Sequence, residues 1–177
     1  MQYTPEQLIQ HLSDSGRKLA DLTANMVYDD PELLKNLIKL MWLDKDPWSN
    51  RASRVVSICC CNFPEMVQPY AAGIVTKLGR VRSEGVIRNM LKIFAEVPVK
   101  LSEKSQSVLM NLCFDYLFGN PPVAIKVYSM EVLYSISRNY PDLLRELYEV
   151  IDSQLSEGSA GFKSRGNKIL KRIRDKI

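Results

Sequence analysis

The sequence predicts an all-α fold in which helical hairpins stack in series. Two observations predict it. Segments with helical spacing of apolar residues alternate with Pro, Gly, Ser and Asp, and no stretch shows the period of two that a strand requires. A phrase also recurs. Pro31-Glu32-Leu33-Leu34 returns as Pro64-Glu65-Met66-Val67 and as Pro141-Asp142-Leu143-Leu144, with a fainter copy at Val97-Pro98. The steps between these prolines are 33, 34 and 43 residues, a spacing typical of stacked hairpin units.

Each element has a local reason. Thr4-Pro5-Glu6-Gln7 reads as a helix start, with Thr as N-cap, Pro at the first helical position and Gln two residues later, so a short helix is expected over 4–13. A second runs from Arg17 to about Val27 with Leu19, Leu22 and Met26 on one side. Asp30-Pro31 opens a third, whose apolar positions are Leu33, Leu34, Leu37, Ile38 and Met41. Asp46-Pro47 opens a fourth through Val55, Val56, Cys59 and Phe63, which Pro64 ends by disfavouring helical geometry in the residue before it. A fifth is expected to follow at once through Met66, Val67, Tyr70, Ile74 and Leu78. Ser83-Glu84 opens the sixth, through Val86, Met90, Ile93 and Phe94.

After Pro98 a longer connection leads to Ser102 as the next N-cap. The seventh helix carries Val108, Leu109, Leu112 and Tyr116 and stops at Gly119-Asn120. Pro121-Pro122 opens the eighth, over Ile125 to Tyr140, and Pro141 opens the ninth. Gly158 to Gly161 separates a tenth. The expected hairpins are 17–42, 47–78, 83–118 and 122–155, between a cap helix at 4–13 and a basic cap helix at 159–176, all in one domain over 1–177. Each hairpin has two apolar faces, and stacking in order buries both. The 43-residue step marks one irregular unit.

Composition narrows the function. A chain of 177 residues that is 46% hydrophobic and 25% charged has the make-up of an ordinary globular domain. No apolar run approaches the roughly 18 residues of a spanning helix. Met1 to Gln10 has neither a basic stretch nor an apolar core of the secretory type, so a cytoplasmic location is expected. Cys59, Cys60 and Cys61 are contiguous. Helical neighbours diverge by about 100° and do not converge on one metal ion, and His11 is the only histidine. Small buried residues in a helix are the plain reading, and reduced thiols agree with the cytosol. With one histidine, scattered carboxylates and no phosphate-cradling glycine loop, no catalytic set assembles. The expectation is a non-enzyme without cofactor or metal.

Asp44-Lys45-Asp46-Pro47 followed by Asn50-Arg51-Ala52 resembles the HEAT pattern: a turn Asp, a Pro starting the first helix, and an Arg before a small residue. With the repeat layout, the chain looks like a HEAT-like or armadillo-like alpha-solenoid. The resemblance implies a right-handed alpha-alpha superhelix of about ten helices. It also implies a polar ladder between repeats, for which Asp46 and Arg51 match. The third unit has Gly85-Val86 and the fourth Tyr128-Ser129 where Arg and Ala would stand. Tetratricopeptide repeats have a similar period, but their Trp, Gly and Ala pattern is missing and proline here opens the second helix instead of closing the unit.

Two basic regions are candidate binding surfaces. HEAT-like repeats also build DNA alkylation repair glycosylases, and Trp48, Arg51 and Arg54 resemble the content of such a groove. The plainer reading packs Trp48 at a helix start and gives Arg51 to the ladder. The second helix of each hairpin should line the concave side. That places Lys35 and Lys39, then Gln68 and Ala72, then Arg145 and Glu149 there, with Glu146 and Asp152 adding acid. A phosphate chain asks for a continuous basic track, and this surface is basic only at one end.

The second region is the C-terminus. Residues 162–177 hold seven Lys/Arg and one acid, leaving the rest of the chain at net −2. Phe162, Gly166, Ile169, Leu170, Ile173 and Ile177 share one arc. Lys163, Arg165, Lys168, Lys171, Arg172, Arg174 and Lys176 cover the remainder. A cap with its charged face in water competes with a contact to nucleic acid or an anionic membrane. The expected function is a non-catalytic protein-binding or scaffold module with another protein as partner. The alternative is a nucleic-acid-binding or DNA-alkylation-repair-like protein, with Lys168, Lys171, Arg172 and Arg174 as the contact.

Overall fold

Residues 12–13, 16–138 and 140–176 are described by the computed structural model, and every regular element among them is helical. In chain order these are α1 (Arg17–Asp29), α2 (Pro31–Met41), α3 (Trp48–Asn62), two 3-10 turns (Pro64–Met66 and Gln68–Tyr70), α4 (Ala71–Leu78) and α5 (Glu84–Glu96). They are followed by α6 (Glu103–Phe118), α7 (Val123–Ser137), α8 (Pro141–Leu155) and α9 (Ala160–Arg174). The expected helix over 4–13, apart from Leu12 and Ser13, falls outside the described residues. So do His11 and Ile177.

Most boundaries follow from caps. The Asp30 carboxylate accepts the Glu32 N–H at 3.1 Å and Pro31 begins α2. Proline costs nothing there, because that N–H has no helical partner. Ser102 accepts the Ser105 N–H at 3.3 Å to open α6, and Ser159 accepts the Phe162 N–H at 3.4 Å to open α9. Pro141 begins α8.

Several expectations are corrected. The helix expected from Pro64 begins only at Ala71, after two 3-10 turns. Pro69 explains this, because it brings no N–H and its ring would strike the carbonyl four residues earlier. In place of the missing ladder, the Gln68 amide makes two bonds to Lys100. Its Nε2 donates to the Lys100 carbonyl at 2.8 Å, and the Lys100 N–H donates to its Oε1 at 3.0 Å. The longer connection expected after Pro98 does form, and it leads to α6 with Ser102 as N-cap. The eighth helix ends at Ser137, not Tyr140. Two apolar stripes are also shifted. Leu22 is 52% exposed, and α1 buries Thr23, Ala24 and Val27 instead. Val108 is exposed, and α6 buries Leu109, Cys113 and Leu117.

The chain divides into two compact units, Met1–Lys100 and Leu101–Ile177, with the division inside the irregular 43-residue step. In the first, α3 is central and packs against α1, α2 and α5. Surrounded on several sides, it is lined by small side chains. Ser49, Ala52, Ser53, Val56, Ser57, Cys59 and Cys60 are all buried, and small residues let helix axes approach closely. In the second unit α7 packs against α6, α8 and α9. It buries Ile125, Met130, Val132, Leu133 and Tyr134, so its apolar residues are spread round the helix instead of forming one stripe.

A polar seam joins α3 to α5. Asp44, at φ 54 in the left-handed region that Asp tolerates, accepts the Arg82 N–H at 3.1 Å and the Ser83 N–H at 2.8 Å. The Ser83 hydroxyl, expected to cap α5, donates instead to the Asp46 carboxylate at 2.9 Å. Asp46 also accepts the Asn50 N–H at 3.1 Å. Deeper in, buried Asn89 donates to the Ser53 hydroxyl at 2.8 Å. Gly85 makes room for the seam: a Cβ there would fall 2.2 Å from Asn50 Oδ1. Asp44→Ala leaves two N–H groups without their acceptor, so we expect a loss of about 1–3 kcal/mol in chemical denaturation, with Asp44→Asn losing less because its amide oxygen still accepts.

Candidate binding surfaces

The sequence singles out Trp48, Arg51 and Arg54 as groove residues. Trp48 is the first residue of α3 and half-buried. Arg51, nearly one turn on, holds its guanidinium carbon 5.6 Å from the Trp48 ring centroid. Its Nη1 donates to the Leu12 carbonyl at 2.9 Å and the Ser13 carbonyl at 2.7 Å. Arg51 therefore ties α3 to the chain preceding α1. The expected Asp46–Arg51 ladder is not what forms. Asp46 is bonded to Ser83, and within the first unit the link between successive hairpins runs from carboxylates to the backbone and hydroxyl of residues 82–83. Arg54 is half-buried and engaged with its own surroundings.

Lys35 and Lys39 are both exposed on α2. Lys35 lies 3.3 Å from Glu32, an exposed pair that contributes little. Sequence reasoning missed Trp42, which caps the C-terminus of α2 one turn after Lys39. Lys77 of α4 sits 5.9 Å from the Trp42 ring centroid. Thirty-five positions separate these two residues, so only the fold reveals the pairing.

The C-terminal basic helix, α9, is docked. Phe162, Gly166, Ile169, Leu170 and Ile173 are buried against α7 and α8. Gly166 allows the close approach, since a Cβ there would meet Ile151 Cγ2 at 3.0 Å. Of its cations, Arg165 and Arg172 both donate to Glu131 of α7, at 2.5 and 2.8 Å. The Arg172 guanidinium also lies 4.0 Å from the Tyr134 ring centroid, and that of Arg174 lies 5.7 Å from the Tyr148 ring centroid. Lys163, Lys168, Lys171 and Lys176 are exposed. The arginines thus hold the helix down and the lysines face solvent, as their chemistry favours: a planar fork suits a shared carboxylate, a hydrated ammonium suits water.

A cavity of about 430 Å³ in the second unit is bounded by residues such as Lys126, Gln154, Glu157 and Phe162. Lys126 Nζ donates to the Leu117 carbonyl at 2.9 Å and to Gln154 Oε1 at 3.1 Å. Its charge closes the C-terminus of α6, where unpaired carbonyls attract cations.

The thiols are poised against reactivity. Burial pushes Cys59 and Cys113 up to about 12 and raises Cys60 and Cys61 as well. Among the described residues, no three His, Cys, Asp or Glu side chains gather to hold a metal ion, and no helix is long and apolar enough to cross a membrane.

Two outcomes are expected. Glu131 is only 15% exposed and takes two arginines, so Glu131→Ala leaves both without their shared anion. Stability in urea should fall by about 1–2 kcal/mol. The raised thiols give a pH dependence of definite sign. Above the ordinary value of 9.0 the unfolded chain loses thiol protons that the folded chain keeps up to about 12. Stability is therefore full below pH 9.0 and should fall as pH rises through that window. Alkaline melts of the wild type and a Cys59→Ala/Cys113→Ala variant measure it, with the shallower decline in the variant.

Comparison with known proteins gives one family. A model described as HEAT repeat domain matches residues 6–173. No match was found among curated proteins or among solved structures. The family match spans almost the whole sequence, and the paired helices, the Asp46-Pro47 start and the carboxylate link between successive hairpins of the first unit agree with it: the chain belongs to the HEAT repeat domain family.

Proposed function

We propose that this chain is a non-catalytic protein-binding or scaffold module, with residues 1–177 as one repeat domain. HEAT repeats generally mediate protein interactions or scaffolding, and the match running through both compact units supports reading them as one array. The observation that carries the reading is the use of Arg51. Its guanidinium is spent on the carbonyls of Leu12 and Ser13 and lies over Trp48. The residues that most resembled a DNA-repair groove thus serve the protein's own packing. Arg165 and Arg172 are likewise committed to Glu131. A phosphate chain draws its affinity from cations free to release counterions, and those arginines are already paired.

The expected result is weak DNA binding near physiological salt and no release of alkylated bases from DNA, with a protein partner recovered by pulldown from the native cell. Salt-sensitive submicromolar DNA affinity that drops in Lys171→Ala/Arg172→Ala/Arg174→Ala would overturn the proposal. So would base release that is lost in Trp48→Ala or Arg51→Ala.

A further inference from the structure

We infer that the surface around Trp42 and Leu43 docks an acidic protein segment bearing an exposed apolar side chain. This inference rests on the protein-binding reading above and names the chemistry of the partner.

The surface has an apolar centre that is held in place. Leu43 is 56% exposed and follows Trp42, the C-cap of α2. Its N–H donates to the Leu40 carbonyl at 3.2 Å, and the next residue, Asp44, is clasped to Arg82 and Ser83. The leucine is thus presented on a fixed turn, with half-buried Trp42 beside it. A large aliphatic side chain left in water at an anchored position forgoes burial that a partner can supply.

The rim is cationic. Lys39 lies one turn before Trp42, and Lys45 two residues after Leu43. Lys77 lies 5.9 Å from the Trp42 ring centroid, and the Arg80 N–H donates to the Lys77 carbonyl at 2.9 Å. Arg82 is drawn alongside by the Asp44 clasp. All five cations are exposed. Among the described residues, the ion pairs are made elsewhere, at Arg17, Lys35, Lys92, Arg145, Arg165 and Arg172. The acids on this turn, Asp44 and Asp46, spend their oxygens on N–H groups and the Ser83 hydroxyl. Cations therefore outnumber acids on this turn, and among the described residues the excess has no carboxylate at ion-pair distance.

An apolar centre with a one-signed polar rim is the anatomy of a protein–protein contact. The anchor is desolvated, and the charges steer and orient. The centre also selects against nucleic acid. Base stacking needs an open aromatic face. Here the tryptophan is half-buried with a lysine near its ring, and the open group is a leucine. A phosphate chain would satisfy the rim and leave Leu43 in water. An acidic segment with one Leu or Phe satisfies both.

The test uses the full chain and fluorescence anisotropy at physiological salt. The probes are synthetic short peptides with one Leu or Phe among Asp and Glu, the same peptides with that residue changed to Ala, and single-stranded oligothymidylate. The acidic–apolar peptides should bind, and their alanine versions should bind at least about tenfold more weakly, which is about 1.4 kcal/mol. Lys77→Glu/Arg80→Glu should lose tenfold or more and Leu43→Ser several-fold. Lys163→Glu/Lys171→Glu should change nothing. These exposed substitutions are checked for intact folding by thermal melting.

Absence of binding to every peptide overturns the inference. So does peptide affinity indifferent to Lys77→Glu/Arg80→Glu, or tighter binding of the oligonucleotide at the same residues. Pulldown from the native cell with the wild type and Lys77→Glu/Arg80→Glu separates the two levels. A partner held equally by both sinks this surface and leaves the protein-binding reading standing. Capture of nothing by either sinks both.

Discussion

The crowding of α3 is the constraint on which the first unit depends. Three helices pack on its fifteen residues, and their close approach is helped because, Ile58 apart, the buried positions carry Ser, Ala, Val and Cys. Close-packed interiors leave no room for larger side chains without strain. The run Cys59-Cys60-Cys61 is explained by the same requirement. The first two are fully buried, and their thiols are held protonated by burial. They fill the core as compact, largely apolar volume. Close approach then allows a polar seam that looser packing would not. Asn89 reaches Ser53 across α5 and α3, and Gly85 gives its missing Cβ volume to Asn50.

The seam modifies what the HEAT resemblance implies. The family pattern places an Asp and an Arg in a ladder. In this chain Asp46 keeps a role between successive hairpins, but its partner is the Ser83 hydroxyl, and Asp44 supplies main-chain contacts nearby. Arg51 is redirected to the chain before α1. A carboxylate accepting main-chain N–H groups needs no long cationic side chain and loses less conformational entropy than an ion pair would. The same clasp holds the Arg82 main chain on Asp44, the residue after Leu43, so a structural device of the repeat also contributes to the surface proposed for a partner.

Charge is divided by function across the molecule. Arg51, Arg165 and Arg172 face carbonyls, carboxylates or rings of the protein itself, whereas Lys39, Lys77, Lys168 and Lys171 are exposed. Trp48, Arg51 and Arg54, by their resemblance to a repair groove, and the C-terminal helix, by its charge, each admit a nucleic-acid contact or a structural role on sequence alone. Composition counts charges and is silent on which are already satisfied. In α9 the arginine fork is the internal fastener and lysine the solvated surface.

Local structure was legible in the sequence. Helix starts at Pro31, Ser102, Pro141 and Ser159 follow from caps and proline sterics, which act within about four residues. The buried arc of α9 was also readable, because one helix face meets one neighbour pair. Where the reading missed, a longer-range cause was at work. Pro69 overrode the start expected at Pro64. The stripes of α1 and α6 rotated toward the faces their neighbours offered. By itself, then, the sequence determined an all-helical repeat chain and most of its helix boundaries. Only the tertiary structure decided the partners of its polar groups. Arg51 with Ser13, Asp44 with Ser83 and Arg172 with Glu131 lie 38, 39 and 41 positions apart. Pairings at that separation are set by how helices pack in three dimensions, and helical periodicity carries no record of them.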